Sequence, residues 1–254
     1  MATRLWLLRH ATLRLETAGQ RLLVDPQLDP AGARPPVEHT AHPRRNPLVE
    51  LPEPAGVAVQ ALDAVLLTHR HGDHLDATAL ELLSRDLPIL CQPADADALR
   101  AEGFAAVRPV DRDATLGPVT VTRTAGRHGT GEIGERMGPV SGFVVRGADE
   151  PAEYIAGDTI WCDEVAAALD AHRPDVVVLN AGAARFLEGD AITMTADDVV
   201  AVARHAPAAR VVAVHLEAVN HCGLTRADLR ERLHAEGLTD RVTVPEDGAE
   251  VPVD

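Results

Sequence analysis

Residues 68–74 read T-H-R-H-G-D-H and follow directly on the apolar run L-D-A-V-L-L at 62–67. His69, His71, Asp73 and His74 therefore fall within six residues at the end of a buried strand. On a straight helix, residues two apart do not face one another. On a turn leaving a strand, His69 and His71 converge on one ion, and Asp73 and His74, at the start of the next helix, face a second. Gly72 permits the bend between the two pairs. A solvated polar turn is the plainer alternative, but the H-x-H-x-D-H spacing is specific enough to outweigh it. The chain also holds 12 histidines against 24 Lys plus Arg, and histidine is the commonest metal ligand.

More candidates stand at strand ends, where α/β proteins gather their ligands. His128 lies in A-G-R-H-G-T-G after V-T-V-T-R-T, Asp158 in G-D-T after Y-I-A, Asn180 at the end of D-V-V-V-L-N, and His215 at the end of R-V-V-A-V-H. One histidine after a strand is usually structural. Two of them plus G-D-T, in order behind the 68–74 motif, form a site. His221 competes with His215 as a ligand. His215 is preferred because it ends a buried strand, which leaves His221 to touch substrate or support a ligand. Cys222 reads as a small buried residue. Arg127 suits an anionic substrate, and Asn180 either donates to an oxyanion or caps its strand. His10 reads as structural, although it could line the pocket.

These residues need elements to hold them. Short apolar strands alternate with helices in the first and last thirds of the chain, and strands dominate between. Helices are expected over 76–85, from the spacing of Leu80, Leu82 and Leu83, and over 95–102, 161–172, 196–205 and 226–236, each of these four with a cap or stop signal. The pattern is that of a layered α/β fold in one domain spanning 1–254. Segment 26–54 holds eight prolines, from Pro26 to Pro54, and must be irregular. A loop that long borders an active site or is disordered. As a lid it would offer His39, His42, Arg44 and Arg45.

The 254 residues carry a net charge of -15 and 2% aromatics. That disfavours a nucleic-acid partner, which needs basic patches and stacking platforms. Three cysteines without a C-x-x-C pair argue against a disulfide scaffold. No stretch reads as a signal peptide or membrane span, so a cytoplasmic enzyme with a small-molecule substrate is expected.

With its motifs in this order, the sequence resembles the metallo-β-lactamase superfamily over almost its whole length. The resemblance implies an αββα four-layer sandwich. It also implies that His69, His71 and His128 bind one divalent ion, that Asp73, His74 and His215 bind another, and that Asp158 bridges them. L-L-V-D-P at 22–26 and G-D-T-I-W at 157–161 further resemble the ascorbate-6-phosphate-lactonase-like branch. Nitrogen and carboxylate ligands without thiolate suit Zn²⁺, with Mn²⁺ or Fe²⁺ as alternatives. Two such ions about 3.5–4 Å apart share a water and make hydroxide available at neutral pH. Asp73 and Asp158 are then the catalytic carboxylates. The expected reaction is hydrolysis of a small ester-like substrate: a lactone, phosphoester or amide. A nuclease or phosphodiesterase, or an iron-dependent redox enzyme with the same ligands, is the alternative.

Overall fold

Leucine-rich and β-branched runs form the strands, and the longer helices bury an apolar stripe against them. A computed structural model describes residues 3–253. The chain opens with β1 (Arg4–Arg9), β2 (Thr12–Thr17) and β3 (Gln20–Val24), and continues through α1 (Ala55–Ala58), β4 (Ala64–Leu67), α2 (Ala77–Leu82), β5 (Ile89–Cys91), α3 (Ala96–Ala101) and β6 (Val107–Pro109). The middle holds β7 (Asp113–Leu116), β8 (Val119–Ala125), α4 (Gly131–Met137), β9 (Ser141–Arg146) and β10 (Ala152–Ile155). The last third is α5 (Asp163–His172), β11 (Val176–Asn180), α6 (Ala196–His205), β12 (Arg210–Val214), α7 (Arg226–Ala235), β13 (Val242–Thr243) and β14 (Glu250–Val251).

Two seven-stranded mixed sheets result, ordered β14-β1-β2-β3-β4-β5-β6 and β13-β12-β11-β10-β9-β8-β7. In the first, β1 to β3 are antiparallel and β3 to β6 parallel. In the second, β7 to β10 are antiparallel and β10 to β13 parallel. Three apolar cores separate the layers. Leu7, Leu15, Leu22 and Leu66 meet Val121, Phe143, Val178 and Val212 between the sheets. Val165, Leu169, Val199, Val202 and Leu229 pack helices on the outer face of the second sheet. Ala79, Leu83, Leu99 and Phe104 do the same on the first. This is the αββα order of layers.

The helix expected over 196–205 is α6, closed by a capping box of Thr195 with Asp198. The one expected from 161 starts at Asp163, because Cys162 is extended and serves as N-cap. Helix α4 was not expected: glycines and charges hide it, and it buries no residue.

Segment 26–54 has no helix or strand, as its prolines dictate, yet it is firmly tied. The buried Arg9 guanidinium donates to the carbonyls of Gln27 (2.8 Å), Asp29 (2.9 Å) and Val49 (3.0 Å). Arg34 and Asn46 exchange backbone bonds across it. Asn46 Nδ2 donates to Asn220 Oδ1 at 2.7 Å, and Asn220 Nδ2 donates to the carbonyls of Val37 and His42. Among the described residues no helix is long and apolar enough to cross a membrane.

Candidate metal centre

The parallel strands β3, β4, β10, β11 and β12 end at one rim, and Asp25, His69, Asp158, Asn180 and His215, at or within three residues of those ends, face the same space. Thr68 leaves β4 pinned to Asp25, which follows β3: its N and Oγ1 donate to the Asp25 carboxylate at 2.8 and 2.7 Å. The chain then turns back on itself, His74 N and Leu75 N donating to the His71 carbonyl. Asp76 takes the N-cap of α2, accepting from Ala79 N at 2.9 Å. Asp73 and His74 therefore sit in the turn before the helix, not in its first turn as the sequence suggested.

Two groups of donors converge there, His69, His71 and His128 in one and Asp73, His74, His215 and His10 in the other, and Asp158 joins them in a third set with His69 and His74. Asp158 Oδ2 is 3.2 Å from His74 Nε2, 3.5 Å from His128 Nε2 and 3.8 Å from His69 Nε2. Its Oδ1 is 3.3 Å from His215 Nε2. His69 Nε2 and His71 Nδ1 approach to 2.9 Å.

The rings are aimed from behind. His74 Nδ1 is 2.8 Å from Asp25 Oδ2, His128 Nδ1 is 2.8 Å from the Ile192 carbonyl, His69 Nδ1 is 3.1 Å from Thr68 Oγ1, and His215 Nδ1 is 3.5 Å from Cys222 Sγ. Each leaves its other nitrogen for the centre, the usual arrangement of a metal-binding imidazole. Gly182 packs so closely on the His215 carbonyl and Cys222 Sγ that a Cβ would overlap both.

Electrostatics match. Burial opposes the charge on every group, yet Asp158 and Asp25 lift His74 to about 10. Asp158 also raises His215 well above its ordinary value. In return, against its own burial, Asp158 is held well below the usual carboxylate range by His215 and His74. Burial pushes His69 and His128 down. Nε2 of His74 and of His215 are buried without a hydrogen-bond partner. Orphaned imidazole nitrogens around buried carboxylates fit a divalent cation, and nitrogen and oxygen donors without thiolate fit zinc, manganese or iron.

A cavity of about 400 Å³ opens onto this centre. His71, Asp73, His128 and Asp158 form its floor, and its walls include Arg34, Val37, Met137, Phe186, Ile192, Val219 and His221. Residues 34–37 and 46 bring the proline-rich segment to the site. His39, His42, Arg44 and Arg45 are exposed and do not line it. His221 stands in the wall, its ring 6.5 Å from that of Phe186. Asn180 Nδ2 donates to Asp158 Oδ1 at 2.7 Å. Arg127 is exposed, bonded to Glu164 at 2.8 Å, and does not line the cavity. Sequence reading passed over Asp25, although a polar residue closing an apolar strand was the signal used elsewhere, and it set His10 aside.

Residues 20–216 match the family model described as the β-lactamase superfamily domain. UPF0173 protein YddR of Bacillus subtilis (strain 168) is 34% identical over 244 residues, 95% of this chain and 96% of its own length. A UPF0173 metal-dependent hydrolase of Xanthobacter autotrophicus is 30% identical, covering 80% of this chain and 79% of its own. The chain belongs to the UPF0173 metal-dependent hydrolases of the β-lactamase superfamily. Among solved structures, the isothiocyanate hydrolase from Delia radicum gut bacteria superposes on this UPF0173 hydrolase with a TM-score of 0.93 and 36% identity, covering 98% of both chains. These matches settle the family and the fold, and do not extend to the lactonase-like branch. In this UPF0173 chain the residues behind that finer likeness, 22–26 and 157–161, supply Asp25 and Asp158 to the centre.

Proposed function

We propose that the protein hydrolyses a small, largely apolar substrate at an electrophilic carbon of the ester or isothiocyanate type, with two divalent ions, zinc foremost. The observation that carries this is two convergent donor groups sharing Asp158 at the floor of an apolar-walled cavity. The similarity to an isothiocyanate hydrolase along 98% of both chains supports the substrate class. His69, His71 and His128 would hold one ion and Asp73, His74 and His215 the other, with Asp158 reaching both. The ions, when bound, lower the pKa of a water and polarise the atom under attack.

The chain's own residues do the rest. Asn180 fixes the rotation of Asp158, so that Oδ1 faces His215 while Oδ2 faces His74, His128 and His69. Asp25, Ile192, Thr68 and Cys222 fix the imidazoles. Phe186, Ile192, Val219 and Val37 exclude water around an apolar substituent. For an isothiocyanate, water adds across C=N and the thiocarbamate expels carbonyl sulfide, leaving the amine. All atoms of substrate and water are then accounted for.

The test is metal analysis of the purified protein followed by turnover of an aryl isothiocyanate, a lactone, a thioester, a β-lactam and a phosphodiester. Hydrolysis of the carbon electrophiles is expected. Cleavage of the phosphodiester alone would sink this reading and favour the nuclease.

A further inference from the structure

We infer that His10 is a positioning residue of the second donor group, holding Asp73 through its Nε2–H without being a ligand itself. The inference rests on the two-ion reading above. His10 and Ala11 form the two-residue connection between β1 and β2. His10 has φ +62°, a left-handed conformation in which such a turn favours glycine or asparagine. Nothing in the hairpin itself asks for an imidazole. The turn delivers the ring to the centre, fully buried, with its centroid 3.6 Å from that of His215. The His10 carbonyl accepts from His215 N at 2.8 Å, which locks the two turns together. His10 Nε2 lies 3.3 Å from Asp73 Oδ2.

The remote nitrogen separates a positioning role from a ligand role. The rings of His69, His74, His128 and His215 each set their other nitrogen against Thr68, Asp25, Ile192 or Cys222. His10 Nδ1 is buried with no partner. If Nε2 bound an ion, the proton would sit on Nδ1 as an orphaned buried donor, which proteins rarely tolerate. If Nε2 carries the proton, it donates to Asp73 and only an acceptor is left without a partner. The second tautomer costs less. It occupies Asp73 Oδ2 and leaves Oδ1 for the ion, so the carboxylate binds through one oxygen in a fixed rotation.

The test is a Co²⁺ titration of wild type, His10→Phe and His10→Gln, reading stoichiometry, affinity and visible absorption, beside melting of each metal-free protein. Phenylalanine keeps the buried ring and loses the donor. Glutamine keeps an N–H at similar reach. The expected result is a second-ion affinity about ten- to a hundredfold weaker in His10→Phe, an unchanged first ion, a metal-free melting temperature near wild type, and recovery of most of the affinity in His10→Gln. Unchanged affinity for both ions in His10→Phe overturns the inference. So does a His10→Gln variant as weak as His10→Phe with altered cobalt absorption, which would make His10 a ligand. A wild type that takes up one ion defeats the two-ion reading, and defeats the role of His10 only if His10→Phe holds that ion equally well.

Discussion

The two donor groups are built on opposite terms. His69, His71 and His128 are all imidazoles, and His71 opens onto the cavity. The second group sets His74 and His215 against Asp73 and Asp158, with Asp25 behind His74. Burial disfavours charge in both, so the carboxylates make the difference. They raise His74 and His215, while His69 and His128 fall. Without ions, His74 and His215 favour their protonated forms, while His69 and His128 favour the neutral form. An ion bound at the second group would then compete with protons more than one bound at His69 and His128.

Asp158→Ala removes the one residue both groups share and should have the largest effect. In the proposed two-ion arrangement three protein ligands would remain for each ion, enough to hold zinc, so the fold should persist. Turnover should drop about a hundredfold or more, with reduced occupancy of at least one ion by metal analysis. Normal turnover with full metal content would show that the groups act independently. Asn180→Ala keeps every ligand and frees only the rotation of Asp158. Its cost should be about tenfold in turnover, at the low end for an outer support of a ligand.

Chelation probes both groups together. At an ion concentration about a hundred times the dissociation constant, binding stabilises by about 2.7 kcal/mol. For a chain of this size that is roughly 5–10 °C of melting temperature, and calorimetry with and without chelator measures it. The pH dependence of the stripped protein then separates the groups. A histidine whose pKa rises on folding gives stability that is complete below its unfolded value, near 6.5, and is lost as pH climbs through the folded value. His74 is raised to about 10, so the stripped protein should melt progressively lower between pH 6.5 and 10. The loaded protein should not follow, and binding at pH 7 in weak buffer should release protons mainly with one of the two ions. Equal release for both would erase the contrast. Arg127→Ala sets the lower bound: it removes an exposed ion pair with Glu164, and melting temperature and turnover should both be unaltered.

The H-x-H-x-D-H turn was legible because its donors are adjacent in sequence and their spacing admits few other uses. His128, Asp158 and His215 were singled out because each follows the end of a strand, a local signal for a site that is not local. Asp25 carries the same signal, but its partner His74 lies 49 residues away, and a single acid before a proline looks like a turn. His10 was harder. Its role depends on a left-handed backbone and on an Asp73 contact across the sheet, and neither leaves a trace in composition. Helix α4 and the two-residue β14 were missed because glycine, charge and brevity suppress periodicity. Arg34 went unnoticed in segment 26–54, whose other basic residues drew attention although they face solvent.

Both sheets contribute to the centre, and this bears on how the protein is made. The 68–74 turn is translated with four of the seven proposed ligands on it, while the last, His215, waits until most of the second sheet has been synthesised. A nascent chain therefore displays a histidine-rich half-site long before β12 can enclose it. Metal captured at that stage would bind an open, incomplete cluster, which reduces the stabilisation it gives the native chain. The fold thus rewards late loading, after the two halves have closed on each other.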